Sequence, residues 1–125
     1  MAEGFLLDSD ICIYLLKNLS PRLTERTRDQ DDGTLFVSAV TVAEVGLGVR
    51  ARPEEETAFR RFVADVTILP FDASAARRYA TLPFRRGKFD RLIAAHALAT
   101  GLTLVTNNEA DFGDVPGLLV ENWTQ

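Results

Sequence analysis

Apolar residues fall along this chain in short bursts, some continuous and some spaced at helical intervals. Gly4-Phe5-Leu6-Leu7 predicts a short strand ending at Asp8. Ile11, Ile13, Tyr14, Leu15 and Leu16 then predict a helix to about Lys17, which Ser9 or Asp10 can cap. Pro21 opens a second, polar helix through Arg28, and Asp31-Asp32-Gly33 is a turn. Leu35 to Val40 is a second apolar run, read as a buried strand. Thr41-Val42-Ala43-Glu44 matches a capping box, and its helix should reach about Arg52. Pro53 starts another helix, with Glu54, Glu55 and Glu56 placed to complement the helix dipole. Val66 to Leu69 is a third strand, and Asp72 or Ser74 begins a helix ended by Pro83.

The most informative stretch runs from Phe89 to Phe112, FDRLIAAHALATGLTLVTNNEADF. Leu92, Ile93, Ala95, His96, Leu98 and Ala99 recur at helical spacing, and the alanines favour a helix further. Gly101 stands where a helix C-terminal glycine belongs. Leu102 to Val105 is a short apolar strand that Asn107-Asn108 breaks, and Leu118 to Val120 is a last one before Trp123. Strands and helices alternate throughout, without repeats or low-complexity tracts. The pattern predicts an α/β chain, a three-layer α/β/α sandwich around a central, mostly parallel sheet.

Composition adds bounds rather than detail. With 125 residues, 46% of them hydrophobic, the chain can form one globular domain with a real core. No apolar run approaches the ~20 residues of a membrane span. The start MAEGFLL lacks the pattern of a secretion signal. Cys12 is the single cysteine, which leaves no intrachain disulfide and suits a reducing cytoplasm. The net charge of −4 argues against binding nucleic acid by bulk charge. The charge is uneven, however. Residues 50–91 carry ten Lys and Arg against six Asp and Glu, a net of +4, and no Lys or Arg follows Arg91. Such a contrast fits a metal site beside a phosphate-binding surface, and fits an ordinary solvated surface equally.

Four acids occupy equivalent places on the predicted fold. Asp8 ends the first strand, Glu44 lies in the helix after the second, Asp90 lies in the first turn of the helix that carries Leu92 to Ala99, and Asp111 follows the strand at Leu102 to Val105. The carboxyl ends of parallel strands share one edge, where sites are usually built. Carboxylates gathered in one cleft repel unless a cation neutralises them, and hard oxygen ligands select Mg²⁺ or Mn²⁺. Each acid taken alone is equally a helix-capping or dipole-complementing residue.

The remaining candidates read as structural. His96 lies six positions from Asp90 and points to another helix face. Gly46-Leu47-Gly48-Val49-Arg50-Ala51 fits a dinucleotide-binding pattern, but inside a helix, where close helix packing explains it better. Cys12 belongs to the core. Phe84 and Phe89 bracket Arg85-Arg86-Gly87-Lys88, a loop that can grip phosphate and stack a base, or simply be solvated.

The segments FLLDSDICIYLLK, VSAVTVAEVGLG, FDRLIAAHALATGLTLVTNNEADF and VPGLLVENW together resemble a PIN-domain ribonuclease, in particular the VapC toxins of bacterial type II toxin–antitoxin modules. The resemblance covers essentially the whole chain and implies a single PIN domain over residues 1–125. It implies an acidic quartet at Asp8, Glu44, Asp90 and Asp111 holding Mg²⁺ or Mn²⁺, with Thr106 and Asn107 supporting the geometry. Asp10 stands where relatives often have Asn, and Glu109 or Asp114 can stand in for Asp111. It implies a cytoplasmic endoribonuclease that cuts RNA phosphodiester bonds by metal-activated water, leaving 3′-hydroxyl and 5′-phosphate ends. It also implies a homodimer, and a cognate VapB-like antitoxin that inhibits the site with its C-terminal segment and binds operator DNA with its N-terminal part. Arg85, Arg86, Lys88 and Arg91 are the candidate RNA contacts. Two rival readings remain. Asp8-Ser9-Asp10 also resembles the D-x-D of aspartyl-phosphate phosphatases, with Ser38 as a second motif, although neither Lys17 nor Lys88 follows a core strand as that chemistry requires. The other rival is a PIN-fold interaction module without catalysis.

Overall fold

Why the chain places its acids on one edge follows from the order of its strands. The structure, a computed structural model, describes residues 4–84 and 89–125. In chain order these form β1 (Phe5–Leu7), α1 (Ser9–Leu16), α2 (Pro21–Arg28), β2 (Leu35–Ser38), α3 (Ala39–Val49) and α4 (Pro53–Asp65). Next come β3 (Thr67–Leu69), α5 (Ala73–Tyr79), α6 (Asp90–Thr100), β4 (Thr103–Val105), a 3-10 turn (Glu109–Phe112) and β5 (Val120–Glu121). The five strands are all parallel, in the order β3-β2-β1-β4-β5. The chain winds outward from β1 to β3, then returns to lay β4 against the other side of β1. That reversal opens a crevice at the carboxyl ends of β1 and β4, where Leu7 is in register with Val105.

Two cores sandwich the sheet because successive strand residues point to opposite faces. Leu6 and Leu104 pack with Ile93, Ala94, Ala97 and Phe112. Leu7 and Val105 pack on the other face with Ile11, Cys12, Val45, Phe59 and Trp123. Trp123 is fully buried, edge-on to Phe5 at 4.8 Å and with Arg26 over its ring at 5.4 Å. The alanines of α6 let this helix lie close to the sheet, and Gly101 ends it in the left-handed region at φ 71°.

Several local expectations need correction. Asp8 itself caps α1, rather than Ser9 or Asp10. The second strand stops at Ser38, whose hydroxyl accepts from the Val40 N–H at 3.0 Å and starts α3 two residues before Thr41. Thr41 and Glu44 are therefore inside the helix and form no capping box, and the helix stops at Val49. Added Cβ atoms at Gly46 and Gly48 would meet nothing within 4 Å, so close packing does not explain these glycines. Helix α5 ends at Tyr79, four residues before Pro83, and the last strand is Val120–Glu121.

His96 is buried as expected, and joins elements. Its Nδ1 lies 2.8 Å from the Ser38 hydroxyl, and the ring also bonds the Pro70 carbonyl. Burial holds its pKa below the usual imidazole value, against the opposing pull of Asp72 and the Pro70 carbonyl. Ser38, fully buried and occupied this way, is unsuited to be a phosphatase motif. Lys17 sits 3.9 Å from Glu55 on the surface, so it does not serve Asp8 either.

Candidate active site

Asp8 occupies the crevice between β1 and β4, where the chain leaves its central strand to begin α1. Its Oδ1 accepts the Ile11 N–H at 2.8 Å, and the Thr106 hydroxyl donates to the same carboxylate. Only 4% of the residue is exposed. Burial pushes its carboxyl up to about 7, the Thr106 and Ile11 hydrogen bonds pull it back, and the charges of Asp10 and Asp90 raise it again. Asp8, Asp10 and Asp90 are thus three acids close enough to feel one another.

Thr106, fully buried at the end of β4, extends the site toward Asp111. Its hydroxyl oxygen accepts the Asn108 N–H at 3.1 Å, and the Asn108 side-chain amide donates to Asp111 Oδ2 at 2.7 Å. A short relay therefore runs Asp8–Thr106–Asn108–Asp111, linking the central strand to the 3-10 turn. Asn107 lies between, with its Oδ1 buried and unpaired among the described residues. The three acids that follow β4 have different partners. Asp114 is 2.6 Å from Arg91, Glu109 accepts from the Asn122 amide at 3.1 Å, and Asp111 is tied to the relay.

Glu44 stands further along α3, lining a groove with Ile13 and Lys17 of the α1 region and with Arg52 and Glu55 at the start of α4. Its Oε1 is buried without a hydrogen-bond partner among the described residues. The start of its helix is tied to the site by the Ser9 hydroxyl, which donates to Thr41 Oγ1 at 3.2 Å. Sequence reading missed Ser9, Thr41 and Asn108. The first two look like ordinary helix-start residues, and Asn108 looks like a strand breaker. Their convergence depends on strand order.

Arg91 overturns its assignment as an RNA contact. It is 2% exposed, and its Nη2 donates to Asp114 Oδ1 and, at 3.1 Å, to the Asp111 carbonyl. The residue lies on the buried side of α6, so its charge faces the protein. Arg85, Arg86 and Lys88 lie outside the described residues.

Among the described residues no three Asp, Glu, His or Cys side chains stand close enough to ligate one ion together. Mg²⁺ does not require that, since it keeps several waters and commonly takes only one or two carboxylates from the protein. The buried Asp8 carboxylate beside Asp10 and Asp90, with the unpaired oxygens of Glu44 and Asn107, supplies the hard oxygen donors that such a cation would use. The chemistry fits.

A parallel sheet with acids gathered at its switch point defines a class of hydrolytic α/β domain, and the pattern of the PIN domain matches residues 5–118. The tRNA(fMet)-specific endonuclease VapC of Shigella flexneri is 35% identical over 130 aligned positions, which cover 96% of this chain and 98% of that protein. The DNA-bound VapBC structure from Salmonella typhimurium superposes with a TM-score of 0.84 at 28% identity, covering 97% of this chain and 98% of the other. VapBC2 of Rickettsia felis, bound to a DNA fragment from its promoter, gives 0.81 at 26% identity, covering 95% and 98%. This chain belongs to the PIN-domain family, among the VapC ribonuclease toxins of toxin–antitoxin systems.

Proposed function

We propose that this protein is a Mg²⁺- or Mn²⁺-dependent endoribonuclease whose active site is Asp8, Glu44, Asp90 and Asp111. The observation that carries the reading is the placement of Asp8, a buried carboxyl at the mouth of the β1–β4 crevice with Asp10 and Asp90 close enough for their charges to act on it. Such an arrangement is unfavourable by itself and becomes favourable around a cation. Asp8 and Asp90 would hold the ion, Asp111 would complete its surroundings, and Glu44 would serve at the edge of the site. When bound, the ion supplies a nucleophilic water and charge stabilisation at the scissile phosphate.

The protein's own contribution is positioning. The Ile11 N–H and the Thr106 hydroxyl fix the Asp8 carboxylate between them. Asn108 holds Asp111, and the Ser9–Thr41 bond fixes the start of the helix that carries Glu44. Asp10, exposed beside Asp8, adds negative charge that favours a cation. Thr106 and Asn107 close the end of β4, where the RNA backbone would pass.

The partner follows from the relatives, which include toxin–antitoxin complexes. A VapB-like antitoxin would cover the acids with its C-terminal segment, and operator DNA would be bound through that antitoxin. The whole chain would act as one PIN domain, as a homodimer in the cytoplasm. No helix among the described residues is long and apolar enough to cross a membrane.

The test is cleavage of total cellular RNA by antitoxin-free protein with Mg²⁺ or Mn²⁺. A discrete set of fragments is expected, lost with EDTA and in Asp90→Asn. Cleavage that survives both controls would sink the reading.

A further inference from the structure

The chemistry above leaves one buried charge without a role. Arg91 follows Asp90 on the first turn of α6, yet its side chain turns inward and is 2% exposed. One nitrogen, Nη2, donates both to Asp114 Oδ1 at 2.6 Å and to the backbone carbonyl of Asp111 at 3.1 Å. The other, Nη1, is buried with no hydrogen-bond partner among the described residues. As a device for filling a core this is poor, because burying a charge with an unsatisfied donor is unfavourable. What the side chain does achieve is geometric.

Helix α6 is held rigidly against the sheet by Ile93, Ala94 and Ala97. The segment 109–114 is a 3-10 turn running into a loop, anchored in the core by Phe112. Phe112 and Val115 seat this stretch in the core, but apolar contacts alone leave its polar main chain some freedom to shift. The planar guanidinium removes that freedom by gripping two points on either side of Phe112, the carbonyl of Asp111 and the carboxylate of Asp114.

We propose that Arg91 and Asp114 are a positioning pair that sets the distance of Asp111 from Asp90, and so the affinity of the acid site for its divalent ion. This rests on the metal-site reading given above. Neither residue touches substrate or metal in this account. Arg91 acts through the main chain of Asp111, and Asp114 acts by holding Arg91.

The test is Mn²⁺ binding by calorimetry on the whole chain, with amide exchange over residues 109–114 as an independent readout. Asp114→Ala is the main variant, because Asp114 is partly exposed and its loss should leave the fold intact. Binding should weaken about ten- to a hundredfold, as for other lost supports of metal ligands. Exchange should quicken in 109–114 while β1, β4 and α6 stay protected. Asp114→Asn, which keeps the acceptor, should recover most of the affinity. In an Arg91→Met background the alanine change should add nothing further. Mn²⁺ affinity in folded Asp114→Ala within twofold of wild type would overturn the pairing, as would full additivity with Arg91→Met, which would make Asp114 a ligand in its own right. Wild type that binds no Mn²⁺ would overturn the pairing together with the metal-site reading, whereas equal binding by wild type and variant would overturn the pairing alone.

Discussion

A carboxylate that caps a helix with one oxygen while accepting a buried hydroxyl, as Asp8 does, has committed its hydrogen-bonding capacity to the fold and left its charge uncompensated. The stability consequence has a definite sign. With the folded carboxyl at about 7 and the ordinary value at 3.8, the folded state holds the proton more tightly. The contribution of Asp8 is then complete below the ordinary value and is lost as pH rises through about 7. Asp8→Asn keeps an acceptor for the Ile11 N–H and removes the charge. The metal-free variant should therefore melt higher than wild type at pH 8, by a few degrees, and the gain should shrink toward pH 5. A denaturation series across that range checks it, and a variant less stable at every pH would contradict it. At this scale the sequence offered the candidate acids but not what holds them. Asp8 was recognisable from its place after an apolar run. Glu44 reads as half of a capping box because Ser38, the real cap, sits inside an apolar run that continues to Val40. Arg91 was mistaken for a surface cation, because a charged residue beside Asp90 gives no sign in one dimension that it turns inward.

Among the elements, sequence reading did best where chain chemistry alone decides. Pro21 and Pro53 each open a helix and Gly101 closes α6, all local effects. Errors gathered at boundaries set by packing, such as the start of α3 and the end of α5. Glycine shows the difference most cleanly. Gly101 needs its positive φ, so Gly101→Ala should cost about 1 kcal/mol even though nothing crowds the site. Gly48 lies within α3 with open space around it, so Gly48→Ala should stabilise by roughly 0.5–1 kcal/mol. Paired thermal or urea denaturation of the two variants should show opposite shifts. Equal shifts would mean that the glycines in α3 are kept for something other than the helix.

The molecule as a whole makes a site by topology. Asp8 and Thr106 are 98 residues apart in number, yet the order β3-β2-β1-β4-β5 sets the strands that end in them side by side. The alternation of strands and helices announced a parallel sheet, and hence a shared edge for the acids. It did not announce the relay through Asn108 or the grip of Arg91, which exist only once β4 lies against β1. Asp8 stands on that edge beside Asp10 and Asp90, while the excess of Lys and Arg lies in residues 50–91. The central claim is that this crevice holds the divalent ion of the nuclease. Crystals of the antitoxin-free protein grown with Mn²⁺ would test it through the anomalous signal of the metal. The account predicts a peak at coordination distance from the carboxylates of Asp8 and Asp90, with Asp111 turned toward it. A peak elsewhere, or none at saturating Mn²⁺ in protein that cleaves RNA, would contradict it.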